Sequence, residues 1–262
     1  MQWLLVFILG LGTGTLSGLL GIGGGIILAP LLLYIPSLLG LPGFDMRAVA
    51  GLTMAQALVA ALTGLLSHRR YGFVNRDLIL WMGGAIFFAA IAGGAFSKGL
   101  ENQVLMGLFA ALAFLAGVLI LLPGTREEEG KPSSNRFNRP AAVGIALGVG
   151  FLGGLVGQGG SFLLIPLMRS ALLIPMRVAI GTNLGIVLCS STAGFLGKLG
   201  TGQVPLGAAL VLGAGIIPAT MLGTSLSHRT SVRGLRGALA ILILAAAVKI
   251  GWDALAGGGA GP

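Results

Sequence analysis

The sequence predicts an all-α integral membrane protein built from two inverted repeats of five segments each. Of its 262 residues, 55% are hydrophobic and 9% are charged, and the mean hydropathy is +0.99. A soluble domain has about 25% charged residues, so this chain lacks the polar groups that a soluble surface needs. A glycine-rich motif also occurs twice: residues 14–31 read GTLSGLLGIGGGIILAPL, and residues 150–167 read GFLGGLVGQGGSFLLIPL.

Ten apolar segments of helical length make up the predicted membrane part of the chain. They cover roughly residues 3–20, 26–41, 48–66, 78–97 and 104–122, and then 142–156, 161–174, 178–196, 205–224 and 235–255. Between the halves, TREEEGKPSSNRFNRP is polar and rich in turn-forming residues, as in a linker. The chain therefore divides into a first membrane repeat (1–124), a linker (125–140) and a second membrane repeat (141–262). The first ten residues lack a positive region, so we expect a retained helix and not a signal peptide.

The duplication extends beyond the glycine motif. At an offset of 136, seven residues of the first half have the same residue type at the matching position of the second half. They are Gly14, Gly18, Gly21, Gly23, Gly24, Pro30 and Leu31. At an offset of 130, RAVAGLT at residues 47–53 falls on RVAIGTN at residues 177–183. The change of offset places one six-residue insertion near residues 36–45, and the common order of the matches indicates an internal duplication.

The distribution of basic residues predicts that the two repeats are inverted. The loop after the third segment is arginine-rich in the first half and has Lys198 alone in the second. The loop after the fourth segment shows the reverse, with Lys98 alone in the first half. The arginines of the two rich loops are Arg69, Arg70 and Arg76, and Arg229, Arg233 and Arg236. Because basic loops face the cytoplasm, equivalent loops lie on opposite sides of the membrane. The linker is then cytoplasmic, and both termini lie outside.

Each repeat is predicted to open with a short broken or re-entrant helix pair around its glycine turn. The stretches beside the second glycine cluster are about 15 and 14 residues long, whereas a straight crossing needs about 20. Helices that start just after Gly25 and Ser161 would aim their first N–H groups at the turns, and such helix ends favour anions. Paired broken segments at matching places in two halves are typical of transporter binding sites. Tight helix packing by small residues is the alternative for one glycine cluster, and a Rossmann-type loop is disfavoured because no strand precedes it.

Polar residues inside the apolar segments are the candidate ligands. Thr53 and Gln56 lie one helical turn apart, and Thr182 and Asn183 lie in the equivalent segment of the second half. Gln158 and Ser161 stand in the second glycine turn where the first has Ile22 and Gly25. The alternative role for these side chains is hydrogen bonding between helices.

Two pairs of basic residues occupy equivalent places in the halves. Arg47 and Arg177 precede the third segment of each half and could clamp an oxyanion, or could extend to the membrane interface. His68 and Lys198 correspond at the offset of 130 and invite the same two interpretations, with the interfacial one favoured.

Residue types and motifs that the apolar segments lack restrict the possible functions. All seven acidic residues lie in loops or at segment ends, so the predicted membrane interior is neutral to positive, which suits an anion and disfavours a cation pump. A single cysteine, Cys189, excludes an intramolecular disulfide and a cysteine-based metal cluster. No Walker motif is found, and the basic residues are scattered singly at segment ends, which favours lipid headgroups over nucleic acid as partners. We expect no cofactor.

The motif G-x-x-x-G-x-x-G-x-G-G-(G/S)-x4-P-L, followed by R-x-x-x-G-(T/L)-(N/T), resembles the TauE/SafE family of sulfite-exporter-like (TSUP) permeases. The resemblance covers nearly the whole chain. It implies a multi-pass carrier of the bacterial inner membrane for organosulfur compounds or sulfur oxyanions such as sulfite, sulfoacetate or thiosulfate, or for related small organic acids. The matching positions are Gly23, Gly24, Gly25 and Pro30, Gly159, Gly160, Ser161 and Pro166, and the stretches Gly51-Leu52-Thr53 and Gly181-Thr182-Asn183. The halves differ at Leu52 against Thr182 and at Ile22 against Gln158, so equal contact of both halves with the solute does not follow.

Taken together, these patterns predict a secondary transporter that binds a small anion at the midplane between the glycine turns. Rival interpretations are an anion or small-solute channel, an intramembrane enzyme that uses Cys189 or His68, and a membrane scaffold. The enzyme is disfavoured because no nucleophile–base pair stands out, and a homodimer is left open. The predicted solute-binding residues are Gly23, Gly24, Gly25, Thr53, Gln56, Gln158, Gly159, Gly160, Ser161, Thr182, Asn183, Arg47 and Arg177.

The charge pattern leads to a labelling prediction. The variant Ser134→Cys should react with a membrane-impermeant thiol reagent only from the cytoplasmic side, and Gly258→Cys only from the outside, because the basic linker lies inside and the C-terminus outside. Reaction of both positions from one side would contradict the inverted topology.

Overall fold

The computed structural model describes residues 1–20, 24–68, 75–121, 137–227 and 232–257, and these ranges are helical with short turns and contain no strand. This confirms the predicted all-α class. The helices are α1 (Gln2–Leu20), α2 (Gly25–Leu38), α3 (Met46–His68), α4 (Arg76–Leu78), α5 (Gly84–Phe96), α6 (Asn102–Leu121), α7 (Arg139–Val156), α8 (Ser161–Ser170), α9 (Met176–Gly200), α10 (Leu206–Ser227) and α11 (Val232–Leu255).

Each of the ten predicted segments falls on a helix or a continuous helical span. The fourth segment consists of α4, a π-helical turn at Ile79–Gly83, α5 and a short 3-10 turn, which together form one span, Arg76–Gly99. Within the described ranges, six spans are long and apolar enough to cross a membrane. They are Gln2–Leu19, Met46–Thr63, Arg76–Gly99, Asn102–Leu121, Arg139–Val156 and Leu206–Leu226. The chain is therefore a multi-pass membrane protein.

The second helix of each glycine-turn pair is short, as expected. α2 has 14 residues and α8 has 10, against about 20 for a straight crossing. The helix before the second turn is longer than predicted, because α7 has 18 residues instead of about 15; like α1 with 19, it is long and apolar enough to cross a membrane. Asn138 caps the start of α7, and its side chain accepts a hydrogen bond from Ala141 N at 3.2 Å. Gly157 caps the end of α7, with a φ of 80° in the left-handed region that glycine adopts without strain.

Helices of the two halves pack against each other along glycine seams. α1 packs along α10, and α7 packs along α5. A β-carbon on Gly18 would collide with the Thr220 carbonyl oxygen, and one on Gly154 would collide with the Ala90 carbonyl oxygen. Gly18 and Gly154 are related by the offset of 136, and Ala90 and Thr220 by the offset of 130. The same offsets relate the contacts of Gly14 with Ile216 to those of Gly150 with Ile86, and the contact of Gly223 with Thr15 to that of Gly93 with Phe151.

The remaining long helices pack across the halves too, and each of them pairs with its own equivalent. α3 packs along α9, and α6 packs along α11. Every one of these pairings joins a helix of the first half to a helix of the second. The two halves are therefore intertwined in one helical bundle, and the core runs along their shared seams.

Lys198 corrects one sequence-based expectation. The sequence predicts that Lys198 lies in a loop and extends to the membrane interface. In the structure it lies in the last turn of α9 and is fully buried. The reason is the close approach of α5 to α9, where Gly94 faces the Gly194 carbonyl and Gly197 faces that of Ile91. These glycines let α9 continue inside the bundle beyond the predicted end at residue 196.

The described ranges do not test the inverted orientation. Arg69, Arg70, Arg229, Ser134 and Gly258 lie outside them, as does most of the linker. The sequence predicts a loop at Arg233 and Arg236, but the backbone at both positions is part of α11. Arg76 is the first residue of α4 and is exposed.

Two glycines of α7 give a matched test of the seam. Gly154→Ala should lower the midpoint of thermal unfolding in detergent, since the added methyl group meets backbone atoms of α5; overpacking of this kind costs about 1–3 kcal/mol. Gly148→Ala is the control, because a β-carbon there has no neighbour within 4 Å. It should leave the midpoint unchanged or raise it, since alanine favours a helix over glycine by about 1 kcal/mol. Equal effects of the two variants would contradict the seam.

Candidate functional site

Both short helices begin at a glycine in the left-handed conformation. Gly24 precedes α2 with φ 60° and ψ −21°, and Gly160 precedes α8 with φ 74° and ψ 0°. A residue with a side chain pays roughly 1–2 kcal/mol in this region, whereas glycine does not. The two positions are equivalent at the offset of 136. The repeated motif therefore gives both short helices a left-handed glycine at their start.

The two turns meet on the middle of α3. A β-carbon on Gly25 would lie 3.4 Å from Thr53 Cβ, and one on Gly159 would lie 3.7 Å from Ala57 Cβ. Gly157 packs directly on the backbone of Ala50. The contacts thus lie within about two helical turns of α3. We call this place, where residues 24–25 and 157–160 meet α3, the glycine site.

Two buried glutamine side chains point at the glycine site. Gln56 is 0% exposed, and its Nε2 would lie 2.5 Å from a β-carbon on Gly24. Gln158 is 3% exposed, and its Oε1 would lie 3.3 Å from a β-carbon on Gly25. Within the described residues, both amide atoms of Gln56 and the Nε2 of Gln158 lack a hydrogen-bond partner. Because nearly all buried polar groups of native proteins are hydrogen-bonded, these three unpaired atoms set the glutamines apart from most buried side chains.

The helix ends at the site are suited to negative charge. The first helical hydrogen bonds of α2 are made by Ile27 N and Leu28 N to the Gly24 carbonyl, each at 3.1 Å. In α8, Leu163 N and Leu164 N bond the Gly160 carbonyl at 3.1 and 3.0 Å. A glycine cap has no side chain that could accept from the N–H groups ahead of these bonds. Such groups and the helix dipole favour an anion by about 0.3–2 kcal/mol per helix.

The described side chains of the glycine site carry no charge. Arg47, a predicted clamp, instead donates from Nε and Nη2 to the Leu100 carbonyl oxygen at 3.2 and 2.6 Å. It thereby ties the start of α3 to the turn before α6. In the described part of the site, the polar groups available to a ligand are therefore amide groups and helix ends.

The other predicted ligands fall into three groups. The Thr53 hydroxyl donates to its own helix, at 3.0 Å from the Val49 carbonyl oxygen. Thr182 Oγ1 accepts from Asn75 N at 3.1 Å. Asn183 is 1% exposed and its Oδ1 has no partner among the described residues, but no described contact joins it to the turns. Gly23 and the side chains of Ser161 and Arg177 lie outside the description.

Sequence reasoning missed the part of α1 that lines the first turn. A β-carbon on Gly24 would lie 2.9 Å from Ser17 Cβ and 3.0 Å from the Thr13 carbonyl oxygen. Ser17 precedes the glycine cluster by one helical turn, and that spacing is the signal that could have identified it. In contrast, Cys189 lies against Gly83 of the π-helical turn, where a β-carbon would be 3.3 Å from its Sγ. No group of residues able to hold a metal is found in the described part of the chain.

Comparison with known proteins decides the family. The model of the family described as "Sulfite exporter TauE/SafE" matches residues 6–250. The chain belongs to the TauE/SafE family. Its relatives are named membrane transporters and not enzymes. This confirms the resemblance seen in the duplicated motif, and no solved structure matches the chain.

Relatives of this TauE/SafE protein match along almost their whole length. The probable membrane transporter protein YunE of Bacillus subtilis (strain 168) is 27% identical over 254 residues, which cover 89% of this chain and 91% of the relative. A probable membrane transporter protein of Xylella fastidiosa (strain 9a5c) is 29% identical, with 91% of each chain covered. One from Methanocaldococcus jannaschii is 23% identical, with 88% of this chain and 89% of the relative covered.

The unpaired amide of Gln56 leads to a stability prediction. Gln56→Leu should leave the thermal midpoint in detergent unchanged or raise it, because a buried group with unpaired amide atoms is replaced by an apolar group of similar size. Gln203→Leu is the matched control. It should lower the midpoint, since the Gln203 Nε2 donates to the Gly94 carbonyl at 3.0 Å and to Thr201 Oγ1 at 2.7 Å. Equal destabilisation by both variants would show that Gln56 has a structural role.

Proposed function

We propose that this protein is a secondary transporter of a small anion, which binds at the glycine site. One observation carries the proposal: two glycine-capped helix starts and two buried glutamine amides converge on the middle of α3. The arrangement offers N–H donors from several directions and no fixed carboxylate. An anion with several oxygen atoms could accept from both turns at once.

We further propose that the solute is an organosulfur compound or a sulfur oxyanion, such as sulfite, sulfoacetate or thiosulfate, or a related organic anion. The family description supports the sulfur chemistry, since it names a sulfite exporter. The polar lining supports a small solute, because Gln158 of the second half reaches Gly25 of the first. Gln158 stands where the first turn has Ile22, so we assign to it the orientation of one polar group of the solute.

The proposed transport cycle is alternating access in a cell inner membrane, with the linker inside and both termini outside. In this scheme the halves are inverted repeats, and one bundle moves against the other around a fixed site. The matching contacts of Gly18 with Thr220 and of Gly154 with Ala90 support a symmetric relation between the halves. Helices in such seams touch through backbone and small side chains, so they can shift without rearranging large side chains.

Flux in proteoliposomes tests this function. The purified protein should give saturable uptake of labelled sulfite or sulfoacetate, and unlabelled solute on the opposite side should drive counterflow. Gln158→Leu should reduce transport by about tenfold or more, because the lost hydrogen bond to a charged solute is worth about 1.5–3 kcal/mol. Gln103→Leu, at an exposed position at the start of α6, should transport normally.

A second variant distinguishes a loss of solute binding from a loss of the folded state. Gly25 has no positive φ, so Gly25→Ala is compatible with the helix and places a methyl group 3.3 Å from Gln158 Oε1. It should remain folded and weaken binding, while Gly12→Ala, which meets nothing within 4 Å, should behave as wild type. Absence of saturable flux for every sulfur and organic anion would overturn the proposal. Ohmic current in a planar bilayer would assign a channel instead.

A further inference from the structure

The second half contains a fully buried lysine that the glycine site does not use. Lys198 is 0% exposed, and its ammonium donates to Ser97 Oγ at 2.7 Å and to the Leu155 carbonyl oxygen at 3.2 Å. Both partners are neutral. A buried charge without an ionic partner is costly, so its retention calls for a functional reason.

The ammonium contacts a hydroxyl oxygen just after α5 and a carbonyl oxygen of α7, and groups of α5 and of the turn after α9 hold that hydroxyl in place. Ser97 follows α5, and its hydroxyl lies 2.7 Å from the Gly94 carbonyl oxygen and 2.9 Å from Gln203 Oε1. Gln203 is fixed by its backbone, because its N–H donates to the Lys198 carbonyl oxygen at 2.9 Å. We call these residues, together with Leu155 and Thr201, the Lys198 cluster. The two atoms that hold the ammonium are both oxygens, and hard cations such as Na⁺ prefer oxygen ligands.

Charged groups near the cluster do not neutralise Lys198 by contact. Among the described residues no carboxylate forms a salt bridge with Lys198; the salt bridge found there joins Lys249 to Asp253. Arg47, at the start of α3, is bonded to the Leu100 carbonyl oxygen, and Lys98, next to Ser97, is exposed. The described parts of α5 and α7 packed on Lys198 contribute hydroxyl and carbonyl oxygens and no carboxylate.

The carbonyl that Lys198 holds belongs to the broken end of α7. Both Gly157 N and Gln158 N bond the Gly153 carbonyl oxygen, at 2.9 and 3.0 Å. The Leu155 carbonyl lies beyond this last acceptor, in the turn where helix carbonyls lack helical partners. Helix C-terminal ends carry partial negative charge and favour a cation. In transporters with broken helices, such ends and unwound carbonyls coordinate the coupling cation.

We propose that Lys198 is a resident cation that takes the place of a coupling sodium ion at the end of α7. It is a positioning residue, because it acts on the solute through the turn that carries Gln158. The proposal rests on the proposed transport function and adds that transport proceeds without sodium. The equivalent residue of the first half is His68, whose side chain lies outside the description, so the assignment concerns the second half alone.

Chemical rescue of a truncated side chain tests the proposal. Lys198→Ala should lower anion flux by about tenfold or more in choline buffer, on the scale of a lost cation at a partly buried helix end. Ethylammonium chloride or sodium chloride should restore part of this flux, because either cation can enter the oxygen-lined space. Lys198→Met fills that space with an apolar chain and should not respond. Wild-type flux should be equal in sodium and choline buffers, and Lys98→Ala should behave as wild type.

Thermal unfolding in detergent tests the cation site without requiring that the protein transports a solute. Ethylammonium chloride should raise the midpoint of Lys198→Ala and leave that of Lys198→Met and wild type unchanged, whether or not a solute is transported. A folded Lys198→Ala protein whose midpoint and flux both ignore ethylammonium and sodium would overturn the resident cation. A sodium requirement of the wild-type protein would do the same. Cation-dependent stabilisation of Lys198→Ala together with absent wild-type flux would retain the cation site and reject the transport function.

Discussion

Backbone groups at membrane depth must find partners, and the rest of this structure depends on how the broken helices meet that requirement. The two ends of each break have opposite polarity. In the second half, the C-terminal end of α7 is closed by left-handed Gly157 and by the ammonium of Lys198. The N-terminal end of α8 starts at Gly160, which offers no side chain to the first N–H groups. Because the protein supplies its own cation at one end, the other end remains suited to an anion.

Close helix packing sets the position of these ends. Gly18 and Gly154 bring α1 and α7 against backbone atoms of their partner helices, and Gly157 packs on the backbone of Ala50. A side chain at any of these positions would push the turns away from α3, and the amides of Gln56 and Gln158 would no longer face the glycines. Small residues therefore serve two purposes here. They hold helices together without a hydrophobic driving force, and they fix the distance between the two halves of the site.

The sequence was sufficient for the helices and for the glycine turns, because periodic apolar runs and left-handed glycines leave local signals. It also singled out Gln56 and Gln158 as polar residues inside apolar surroundings, and their role as ligands stays a prediction. It failed for Lys198. A basic residue at the end of an apolar run has the same local pattern whether it reaches the interface or the interior. The burial of Lys198 depends on Gly94, Gly194 and Gly197, which lie on two helices and meet only in the folded chain.

The short helices of the two halves start in the same backbone conformation, but the side chains around them differ, and this difference has an energetic consequence. Both turns begin their short helices in the same conformation, yet Gln158 belongs to the second turn alone and Lys198 to the second half alone. Two identical halves would expose a central site to either side of the membrane at equal free energy. Here Gln158 and Lys198 have Ile22 and His68 as their counterparts in the other half, so we infer that the inward-open and outward-open states differ in free energy. The asymmetry of the site, and not the symmetry of the scaffold, then sets which state the solute-free protein favours.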